Sequence, residues 1–557
     1  MKKEKPSLGS YFKLPNPGLW AYFKHNVSGQ PEDYRPPFWN KMERSKVLKL
    51  WEDELTRLGM SKAYPSLYSY EEEMKSKVGP MSIQKPLNER IEDIENYYTM
   101  IDTPSVPISD DAVRATIAFF SKGGGVRPML NKRKVLDNMR LSTNSGSWLF
   151  TKRRNVVDDT VKFKLEPNWY KGASDSSPCL SVDAVKHEYY FHGTYSSIKD
   201  TKSYRLCAVL GWRGQEGGMD DDDVKQRVVF MMPFLLNIYE LQMYQPLIKS
   251  MQKNDLIPAY ISMDRVDQEV TALFDTKGDN DDVICTDFSK FDQHFNRDLQ
   301  NAAWKVIDGL LSKDADRIHW LQVFMVKFYI PLICSEDLLY TGYHGMGSGS
   351  GGTNFDECMA HKCLQFECAQ SKGQQLNPHS MAYGDDGILT YPGIKVDDVI
   401  QTYTSHGQEM NASKQYVSKH DCVVLRRWHG DDYRVNGTMV GVYSTFRALG
   451  RLLAQERYYD PDKWNPSMVV LRALSILENC KWHPYFHEFI DFVIKGDKYR
   501  LGLDIPGFFD NIEKIAQEAI ENFHDFLGYT KSLQNPTPAK GIKEWKVVKY
   551  LLKLSKK

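Results

Sequence analysis

Two carboxylate-bearing strand ends constrain this chain more than any other feature. The apolar run from Val283 to Thr286 predicts a buried strand that ends at Asp287. Further along, the stretch from Met381 to Thr390 predicts strand, tight turn and strand, with Asp385 beside the turn signal Asp386-Gly387. If these strands are neighbours in one sheet, the carboxylates meet at its edge.

Carboxylates gathered in this way have a specific chemistry. Hard oxygen ligands suit Mg²⁺ or Mn²⁺, which keep several waters and bind substrate phosphates. Two such ions ~3.5–4 Å apart can clamp the attacking and leaving oxygens of a phosphoryl transfer. Either acidic segment alone has an ordinary structural interpretation, because Asp is common in turns, where it hydrogen-bonds the local backbone. The interpretation therefore depends on the order of the two segments and on the motifs that accompany them.

A glycine-rich loop lies between the two acidic segments in the sequence and leads into a predicted helix. The loop runs from Gly345 to Gly352, and its backbone freedom would let a template or nucleotide approach closely. An apolar helix face is predicted after it by the spacing of Phe355, Met359, Cys363 and Phe366. The same helix carries four residues of types that bind zinc: Cys358, His361, Cys363 and Cys368. Because they lie along one helix and some of them face the core, we interpret them as core residues.

The charges of the chain sum to zero but are segregated. The sequence has 72 Lys and Arg against 72 Asp and Glu, which by itself argues against a basic nucleic-acid binder. From Val113 to Arg154, however, ten basic residues stand against one acid, Asp137. This stretch could neutralise a phosphodiester backbone, and a solvated basic surface is the alternative. The acidic run from Asp220 to Asp223 lacks the spacing of a calcium loop and predicts a solvated loop.

The composition excludes several classes of protein. Hydrophobic residues make up 41% and charged residues 26%, as in a globular protein with a sizeable core. The first residues have no apolar run, and no stretch approaches the ~18 apolar residues of a spanning helix, so we expect neither signal peptide nor membrane anchor. Nine Cys without a CxxC pair argue against a disulfide framework.

Three segments resemble, in order, the palm motifs of viral RNA-dependent RNA polymerases. The segment from Asp287 to Asp292 resembles the first motif, Ser348-Gly349-x3-Thr353-Asn354 the second, and Gly384-Asp385-Asp386 the third. The strings DFSKFDQHF, GMGSGSGGTNFDE and YGDDG are most similar to the polymerases of picobirnaviruses, which have double-stranded RNA genomes. A lone GDD would not carry this resemblance, whereas three ordered motifs do.

Weaker similarities extend from about residue 143 to 430. Thr143-Asn144-Ser145-Gly146 resembles the motif that guides the template, and Lys225 and Arg227, with Arg205 or Arg213, resemble the basic fingertip above the nucleotide channel.

Two further similarities lie downstream of the third motif. Residues 407–414 resemble the motif with a proton-donating lysine, here Lys414. Val424-Leu425-Arg426-Arg427-Trp428 resembles the primer-grip hairpin, in which Arg426, Arg427 and Trp428 would contact template or primer.

The resemblance implies a role for each of these residues. Asp287 and Asp385 would bind Mg²⁺, with Mn²⁺ as a substitute, and Asp386 would be an auxiliary ligand. Reading of the ribose would fall to a polar set, because a site built to bond the 2′-OH rejects an analogue that lacks it. That set is Asp292, Ser348, Gly349, Thr353 and Asn354, with Asn354 as the sensor and helix capping as the alternative role of the last two.

The basic residues would handle the phosphates. Arg213, Lys225 and Arg227 would hold the triphosphate, since a guanidinium fork suits phosphate oxygens, and a salt bridge to the run from Asp220 to Asp223 is the alternative. Lys414 would protonate the pyrophosphate, a step commonly worth ~10²–10⁴ in rate. Lys419 is a competitor for that role, and a solvated lysine is the alternative for either.

The fold implied is a mixed α/β right-hand polymerase with closed fingertips. We expect an N-terminal extension (1–60), fingers (61–257), palm (258–296), fingers and palm helices (297–340), palm with an antiparallel sheet (341–430), a helical thumb (431–532) and a basic tail (533–557). In the thumb, helices are predicted over Ala448 to Tyr458 and Pro466 to Asn479.

The function implied is replication and transcription of a double-stranded RNA genome without a primer. The expected partners are RNA template and product, ribonucleoside triphosphates and a viral capsid protein, with no membrane. We expect a monomer inside the virion or in the host cytoplasm. The alternatives are a reverse transcriptase and a non-catalytic RNA- or capsid-binding protein.

Overall fold

The computed structural model describes residues 1–167, 180–183, 190–191, 194–195, 204–523 and 541–556. The strands are β1 (Lys2–Glu4), β2 (Lys164–Pro167), β3 (Leu180–Asp183), β4 (Tyr190–Phe191), β5 (Thr194–Tyr195), β6 (Tyr204–Leu206), β7 (Ala208–Gln215), β8 (Lys225–Met231), β9 (Val283–Thr286), β10 (Leu332–Ser335), β11 (Leu338–Thr341), β12 (Met381–Tyr383), β13 (Asp386–Leu389), β14 (Tyr416–Ser418), β15 (Asp421–Val424), β16 (Arg427–Gly430), β17 (Arg434–Val435), β18 (Thr438–Met439) and β19 (Val442–Tyr443).

The α-helices are α1 (Pro17–Ser28), α2 (Arg44–Arg57), α3 (Met60–Ala63), α4 (Pro65–Met74), α5 (Leu87–Thr99), α6 (Asp110–Phe120), α7 (Lys132–Leu136), α8 (Val157–Thr160), α9 (Phe234–Lys253), α10 (Met263–Thr276), α11 (Arg297–Leu310), α12 (Arg317–Val326), α13 (Thr353–Ser371), α14 (Val396–Ser405), α15 (Thr445–Leu453), α16 (Pro466–Glu478), α17 (Phe486–Gly496), α18 (Ile512–Asn522) and α19 (Lys546–Ser555).

A four-stranded antiparallel sheet in the order β12-β13-β9-β14 carries both carboxylate segments. The strand predicted before Asp287 is confirmed as β9, and all four of its residues are buried. Tyr383 pairs with Asp386, so the two-residue turn of the hairpin is Gly384-Asp385. The prediction of Asp386-Gly387 as the turn is therefore wrong. Gly384 has a φ of +62°, which glycine adopts without the steric penalty of a side chain.

A second, five-stranded sheet has the order β1-β11-β10-β7-β8. Its long hairpin β7–β8 places Arg213 directly opposite Arg227. The N-terminal residues Lys2–Glu4 add to it as an edge strand paired with β11. The apolar stretch from Trp320 to Ile333 contains both helix α12 and the start of the buried strand β10, and apolar pattern alone does not separate a buried helix from a fully buried strand.

Helix α13 is buried on nearly all sides, not on the single apolar face predicted. Besides Phe355, Met359 and Cys363, it buries charged residues, among them Asp356. The Asp356 carboxylate is satisfied by the ammonium of Lys327 at 2.5 Å and by the hydroxyl of Tyr244 at 2.6 Å. Buried charges are tolerated when they are paired in this way.

A second core joins the region after residue 430 to the N-terminal part of the chain. Helices α2 and α4 pack there with α15, α16, α17 and α19. The buried carboxylate of Glu71 on α4 accepts hydrogen bonds from Ser444 at 2.6 Å, Thr445 at 2.7 Å and His483 at 2.9 Å. The predicted boundary at residue 60 is therefore not a packing boundary, because residues on both sides of it share this core.

The two helices predicted in this region are present with altered ends. The first, α15, begins earlier than predicted and ends at Leu453, and the second, α16, agrees to one residue. The described part of the basic tail forms α19, whose Val547, Val548 and Leu551 are fully buried. Residues 533–540 of the predicted tail and Lys557 lie outside the described residues.

Two further expectations concern membranes and cysteines. Over the part of the chain that the structure describes, no helix is both long and apolar enough to span a bilayer. The described cysteines are free thiols, and all of them are buried: Cys207, Cys285, Cys334, Cys358, Cys363, Cys368, Cys422 and Cys480.

Candidate active site

The strand register brings three carboxylates to one end of the four-stranded sheet. Asp287 follows β9, Asp385 lies in the turn, and Asp386 begins β13, whose next residue pairs with Thr286. Burial and the Asp385 and Asp287 carboxylates raise the pKa of Asp386 to about 7. Burial and the nearby Asp292 and Asp287 carboxylates raise the pKa of Asp385 against the opposing Arg227. Carboxylates that raise one another's pKa form a place where a cation is stabilised.

These residues fit a hard divalent cation. Their ligand atoms are all carboxylate oxygens, which Mg²⁺ and Mn²⁺ prefer. Within the described ranges, no group of three or more His, Cys, Asp or Glu side chains is arranged to hold a metal ion by itself. Mg²⁺ is usually bound through one or two protein carboxylates, with water and substrate phosphates completing its shell.

The sequence analysis missed the side chain that holds Asp287 in place. Gln415 accepts a hydrogen bond from the Asp287 amide at 2.9 Å and donates one to the Asp287 carbonyl at 2.8 Å. This side chain continues the pairing of β9 and β14 beyond the end of the strands. A polar residue directly before a strand was the only signal for it in the sequence.

The two candidate lysines lie at opposite ends of β9. Burial raises the pKa of Asp287, and the positive charges of Lys414 and Lys77 oppose this shift, so both lysines act on that carboxylate. Lys419 instead pairs with Asp282 at 3.3 Å, before the strand begins. The geometry therefore separates Lys419 from the carboxylates, and Lys77 is a basic residue that the sequence analysis did not identify.

A cavity of about 770 Å³ lies over the carboxylates. Its lining contains the carboxylates of Asp292, Asp385, Asp386 and Glu357 together with many guanidinium groups. Guanidinium groups suit the oxygens of a triphosphate or of a nucleic-acid backbone. The arginines that line it are Arg140, Arg213, Arg227, Arg426, Arg427, Arg451, Arg457 and Arg472.

The fingertip arginines have partners other than those expected. Arg227 donates to the Asp292 carboxylate at 3.1 Å, which joins the first motif to the fingertip hairpin. Arg213 pairs with Glu456 at 3.2 Å, so the alternative of a salt bridge to the run from Asp220 to Asp223 is wrong. Lys225 is exposed at the start of β8, and its charge lowers the pKa of Lys77 after the larger effect of burial.

The polar residues of the second motif lie at the cavity, and several are already hydrogen-bonded. Asn354 accepts a hydrogen bond from the Tyr260 hydroxyl at 3.0 Å. Thr353 donates to the loop carbonyls of Ser350 at 3.3 Å and Gly347 at 3.4 Å. The helix has Gly352 at its N-cap position, so the capping alternative for Thr353 and Asn354 is wrong.

The glycines of the loop serve close packing more than backbone freedom. A Cβ on Gly349 would collide with the Phe230 carbonyl of β8, and one on Gly352 with the Tyr244 ring. Neither glycine has a positive φ. Ser348 donates to the Val228 carbonyl at 3.2 Å, which also fastens the loop to β8.

Glu357 is a fourth acidic residue of the cavity that the sequence analysis did not single out. It is buried one helical turn after Thr353, and its Oε1 has no hydrogen-bond partner among the described residues. Burial, and then the Asp292 carboxylate, raise the pKa of Glu357 well above its ordinary value. A protonated carboxyl donates as well as accepts. The i, i+4 spacing from Thr353 was the available signal.

The predicted template motif lines a second cavity of about 810 Å³, which shares Arg140 and Arg213 with the first. Thr143 is on its wall. Ser145 is 1% exposed and bonds Thr151 and Phe234, and Gly146 has a φ of +66°, so these two shape the loop and do not reach the cavity.

The basic stretch around this motif is partly neutralised by acids close in space. Arg114 pairs with Asp111, Arg127 with Asp314, and Arg133 with Asp158. The local excess of positive charge counted along the sequence is therefore smaller in the folded protein.

The predicted grip hairpin is β15–β16. Leu425 and Arg426 form its turn with φ of 50° and 62°, and Arg426 and Arg427 line the first cavity. Trp428 is 3% exposed and donates from its indole to Asp421 at 2.8 Å. A direct contact of Trp428 with RNA does not fit this burial, since the ring supports the hairpin from behind.

A buried carboxylate ties this hairpin to the fingertip side of the cavity. Glu216, just after β7, accepts from Arg447 at 3.1 Å, Arg426 at 3.4 Å and Arg451 at 3.5 Å. Burial opposes its ionisation, but the three guanidinium groups together lower the pKa of Glu216 to about 2. One acidic residue among ordinary loop residues gave no sequence signal for this cluster.

The sequence and the fold are both similar to those of known viral polymerases. A family described as "Viral RNA-dependent RNA polymerase" matches residues 222–427. The "Potential RNA-dependent RNA polymerase" of Human picobirnavirus (strain Human/Thailand/Hy005102/-) is 49% identical over 548 residues, which are 97% of each chain. The crystal structure of the RNA-dependent RNA polymerase of a human picobirnavirus superposes with a TM-score of 0.88 at 48% identity, over 99% of this chain and 100% of that one. Its insertion-loop deletion mutant gives 0.86 at 46% identity, over 99% and 100%.

The chain belongs to the viral RNA-dependent RNA polymerases. Within that family it is a homologue of the picobirnavirus polymerase, with the same mixed α/β fold over nearly its full length. The protein is therefore an RNA-dependent RNA polymerase, for which RNA templates and nucleoside triphosphates are the substrates of the family. The reverse transcriptase and the non-catalytic alternatives are dropped.

Proposed function

We propose that this polymerase replicates and transcribes a double-stranded RNA genome by two-metal nucleotidyl transfer and starts without a primer. The observation that carries the chemical part is the convergence of Asp287, Asp385 and Asp386 at one end of the four-stranded sheet, beside a cavity lined by several arginines. Charges of both signs at one cavity suit a cation and a triphosphate bound together.

The proposed roles follow from this arrangement. Asp287 and Asp385 hold Mg²⁺ or Mn²⁺, with Asp386 as the auxiliary ligand. Ions held there would supply a lower pKa for the attacking 3′-hydroxyl and stabilisation of the leaving oxygens. Arg213 and Arg227, with Lys225 nearby, orient the triphosphate, and Lys414 delivers the proton to pyrophosphate. Arg426, Arg427 and Thr143 contact the RNA backbone.

Selection of ribose is assigned to polar groups near the sugar position. Asp292 and Asn354 carry this role, with Ser348, Thr353 and the backbone at Gly349 shaping the pocket. In support, Asp292 and Asn354 line the same cavity as Asp385. A polar site of this kind rejects a sugar without the 2′-hydroxyl because its buried groups would be left unpaired.

We also propose a right-hand division into fingers, palm and thumb, a monomeric protein, a capsid protein as partner, and the virion interior or host cytoplasm as location. The separate hydrophobic cores around α13, around β9 and around α16 support the division. Membership of a double-stranded RNA virus family supports the capsid and the location.

The deciding experiment is RNA synthesis on an unprimed RNA template with Mg²⁺ or Mn²⁺, by wild type beside Asp385→Ala. We expect full-length product from the wild type only, with RNA binding equal in both proteins. Parallel reactions with rNTPs and dNTPs test the sugar selection. Wild-type protein that binds RNA but never extends it, or an unimpaired Asp385→Ala, would refute the proposal. Extension of primed templates alone would refute primer independence.

A further inference from the structure

One buried histidine touches both segments that carry the metal-site carboxylates. His361 lies on α13 and is fully buried. Its Nδ1 is 2.9 Å from the carbonyl oxygen of Gly384, and its Nε2 is 3.5 Å from the hydroxyl of Thr286. These two residues stand directly before Asp385 and Asp287 in the sequence. The imidazole therefore bridges two points that are remote in the chain and adjacent to the carboxylates.

The hydrogen bond to Gly384 fixes which ring nitrogen carries the proton. A carbonyl oxygen only accepts, so Nδ1 is protonated and donates. Burial lowers the pKa of His361 to about 4, so the ring is neutral near pH 7. The lone pair of Nε2 then faces the Thr286 hydroxyl, which can donate to it or to the Gly387 carbonyl at 3.5 Å.

The ring has little freedom to leave this position. The aromatic rings of Phe288 and Tyr403 meet it edge-on at centroid distances of 5.1 and 5.8 Å. Gly387 also lies against the ring, since a Cβ there would collide with the imidazole. Side chains locked by packing in this way hold functional groups to the tolerance that catalysis requires.

The turn that His361 holds is one that needs support. Gly384 has a φ of +62°, and glycine populates both signs of φ about equally in an unconstrained chain. A donor fixed on a rigid helix selects the orientation of the Gly384 carbonyl, and with it the direction of the following Asp385 side chain.

We propose that His361 is a positioning residue that sets the spacing of Asp287 and Asp385, and thereby the affinity of the site for divalent cation. This inference rests on the proposed function, in which both carboxylates bind metal. Residues that orient metal ligands from behind typically change metal affinity by 10–100-fold when removed.

The test uses three substitutions that differ in where they place a donor. His361→Asn puts an amide nitrogen close to the place of Nδ1 and keeps the bond to Gly384. His361→Leu has the same branching without a donor, and His361→Gln is polar but reaches toward the position of Nε2. The primary measurement is RNA synthesis as a function of Mg²⁺ concentration at saturating rNTP. The second is Mn²⁺ binding without RNA, followed by electron paramagnetic resonance.

We expect the Leu and Gln variants to need about tenfold more Mg²⁺ for half-maximal rate and to bind Mn²⁺ correspondingly more weakly. The Asn variant should stay within about threefold of wild type, because it restores the donor. The KM for rNTP at saturating Mg²⁺ should change little in all three. A general loss of stability would lower the melting temperature but would not produce this order of the variants in Mg²⁺ requirement.

His483→Leu is the matched control, since it removes another buried imidazole, bonded to Glu71 at 2.9 Å in the other core. Its half-saturating Mg²⁺ should equal that of wild type. Wild-type Mg²⁺ dependence and Mn²⁺ affinity in the Leu and Gln variants, or an Asn variant as impaired as Leu, would overturn the inference. If the Leu variant does not fold, Gln against Asn decides. An inactive wild type would instead refute the proposed function, so the two failures are distinguishable.

Discussion

Replacing Glu216 by Gln should destabilise the protein strongly, although this residue lies outside the motifs. Gln keeps the shape of the side chain and removes its negative charge. The Glu216 side chain is 5% exposed, and Arg447 beside it is 10% exposed, so this pair is shielded from solvent. The substitution leaves three guanidinium groups without their shared carboxylate.

Two independent arguments give the same magnitude. A pKa lowered from the ordinary 4.5 to about 2 corresponds to about 3 kcal/mol, at about 1.36 kcal/mol for each tenfold change in affinity for the proton. Removing one partner of a buried ion pair costs about 3–5 kcal/mol, because the other charge stays buried and unpaired. For a chain of 557 residues, an unfolding entropy of about 2.1 cal/mol/K per residue converts about 3 kcal/mol into a melting shift of about 3 °C.

The pH dependence has a defined sign. A carboxylate with a lowered folded-state pKa contributes its stabilisation above the unfolded value near 4.5 and loses it as the pH falls toward 2. The gap between wild type and Glu216→Gln should be constant from pH 6 to 8. It should shrink to less than half of that value at about pH 3.

The assay is thermal and urea unfolding of both proteins across this pH range. Glu456→Gln serves as the control, because its partner Arg213 is 56% exposed and such exposed pairs are worth about 0–1 kcal/mol. The reasoning fails if Glu216→Gln melts within 1 °C of wild type, or if the gap between them does not narrow on acidification.

Three further substitutions address the site directly. Glu357→Gln should gain stability relative to wild type as the pH rises above about 4.5 in EDTA. The folded wild type keeps the Glu357 carboxyl protonated at a pH where the unfolded chain releases that proton, so the wild type loses stability as the pH rises and the Gln variant does not. Parallel melting temperatures of the two proteins from pH 5 to 8 would contradict this. Lys414→Leu should slow single-turnover incorporation about 10²-fold or more without weakening RNA binding, whereas Lys419→Leu, which only loses a pair with Asp282, should match wild type; equal rates for the two variants would remove Lys414 from the role. Asn354→Ala should raise incorporation of dNTP relative to rNTP in primer extension, and unchanged selectivity would exclude Asn354 as the sugar sensor.

The segments predicted with most accuracy were those whose pattern is local. Strand β9 was predicted to the residue, because a short apolar run that ends at a polar residue is typical of a buried strand. Helix α16 agreed closely because proline at its start and a buried apolar repeat mark both its limits. The turn of the β12–β13 hairpin lies two residues before the predicted one, since Gly lies on both sides of the two Asp and sequence alone favours either placement.

The functional residues that were not predicted from the sequence are those whose role depends on partners far away in the chain. Gln415, Glu357, Lys77 and Glu216 were overlooked because each is an ordinary residue type whose role comes from what folds against it. For Trp428 the sequence suggested contact with RNA, because a tryptophan beside two arginines fits RNA binding as well as it fits a buried support, and in the fold the ring is buried.

Residue type and spacing along the chain were enough to identify the family, the order of the three motifs and the carboxylates at the strand ends, because these are one-dimensional properties. The fold was needed to show which charges neutralise each other, which lysine acts on the Asp287 carboxylate, and that His361 lies between the segments ending in Asp287 and Asp385. Electrostatic and hydrogen-bond energies depend on distances of a few ångströms through space, and sequence separation does not fix those distances.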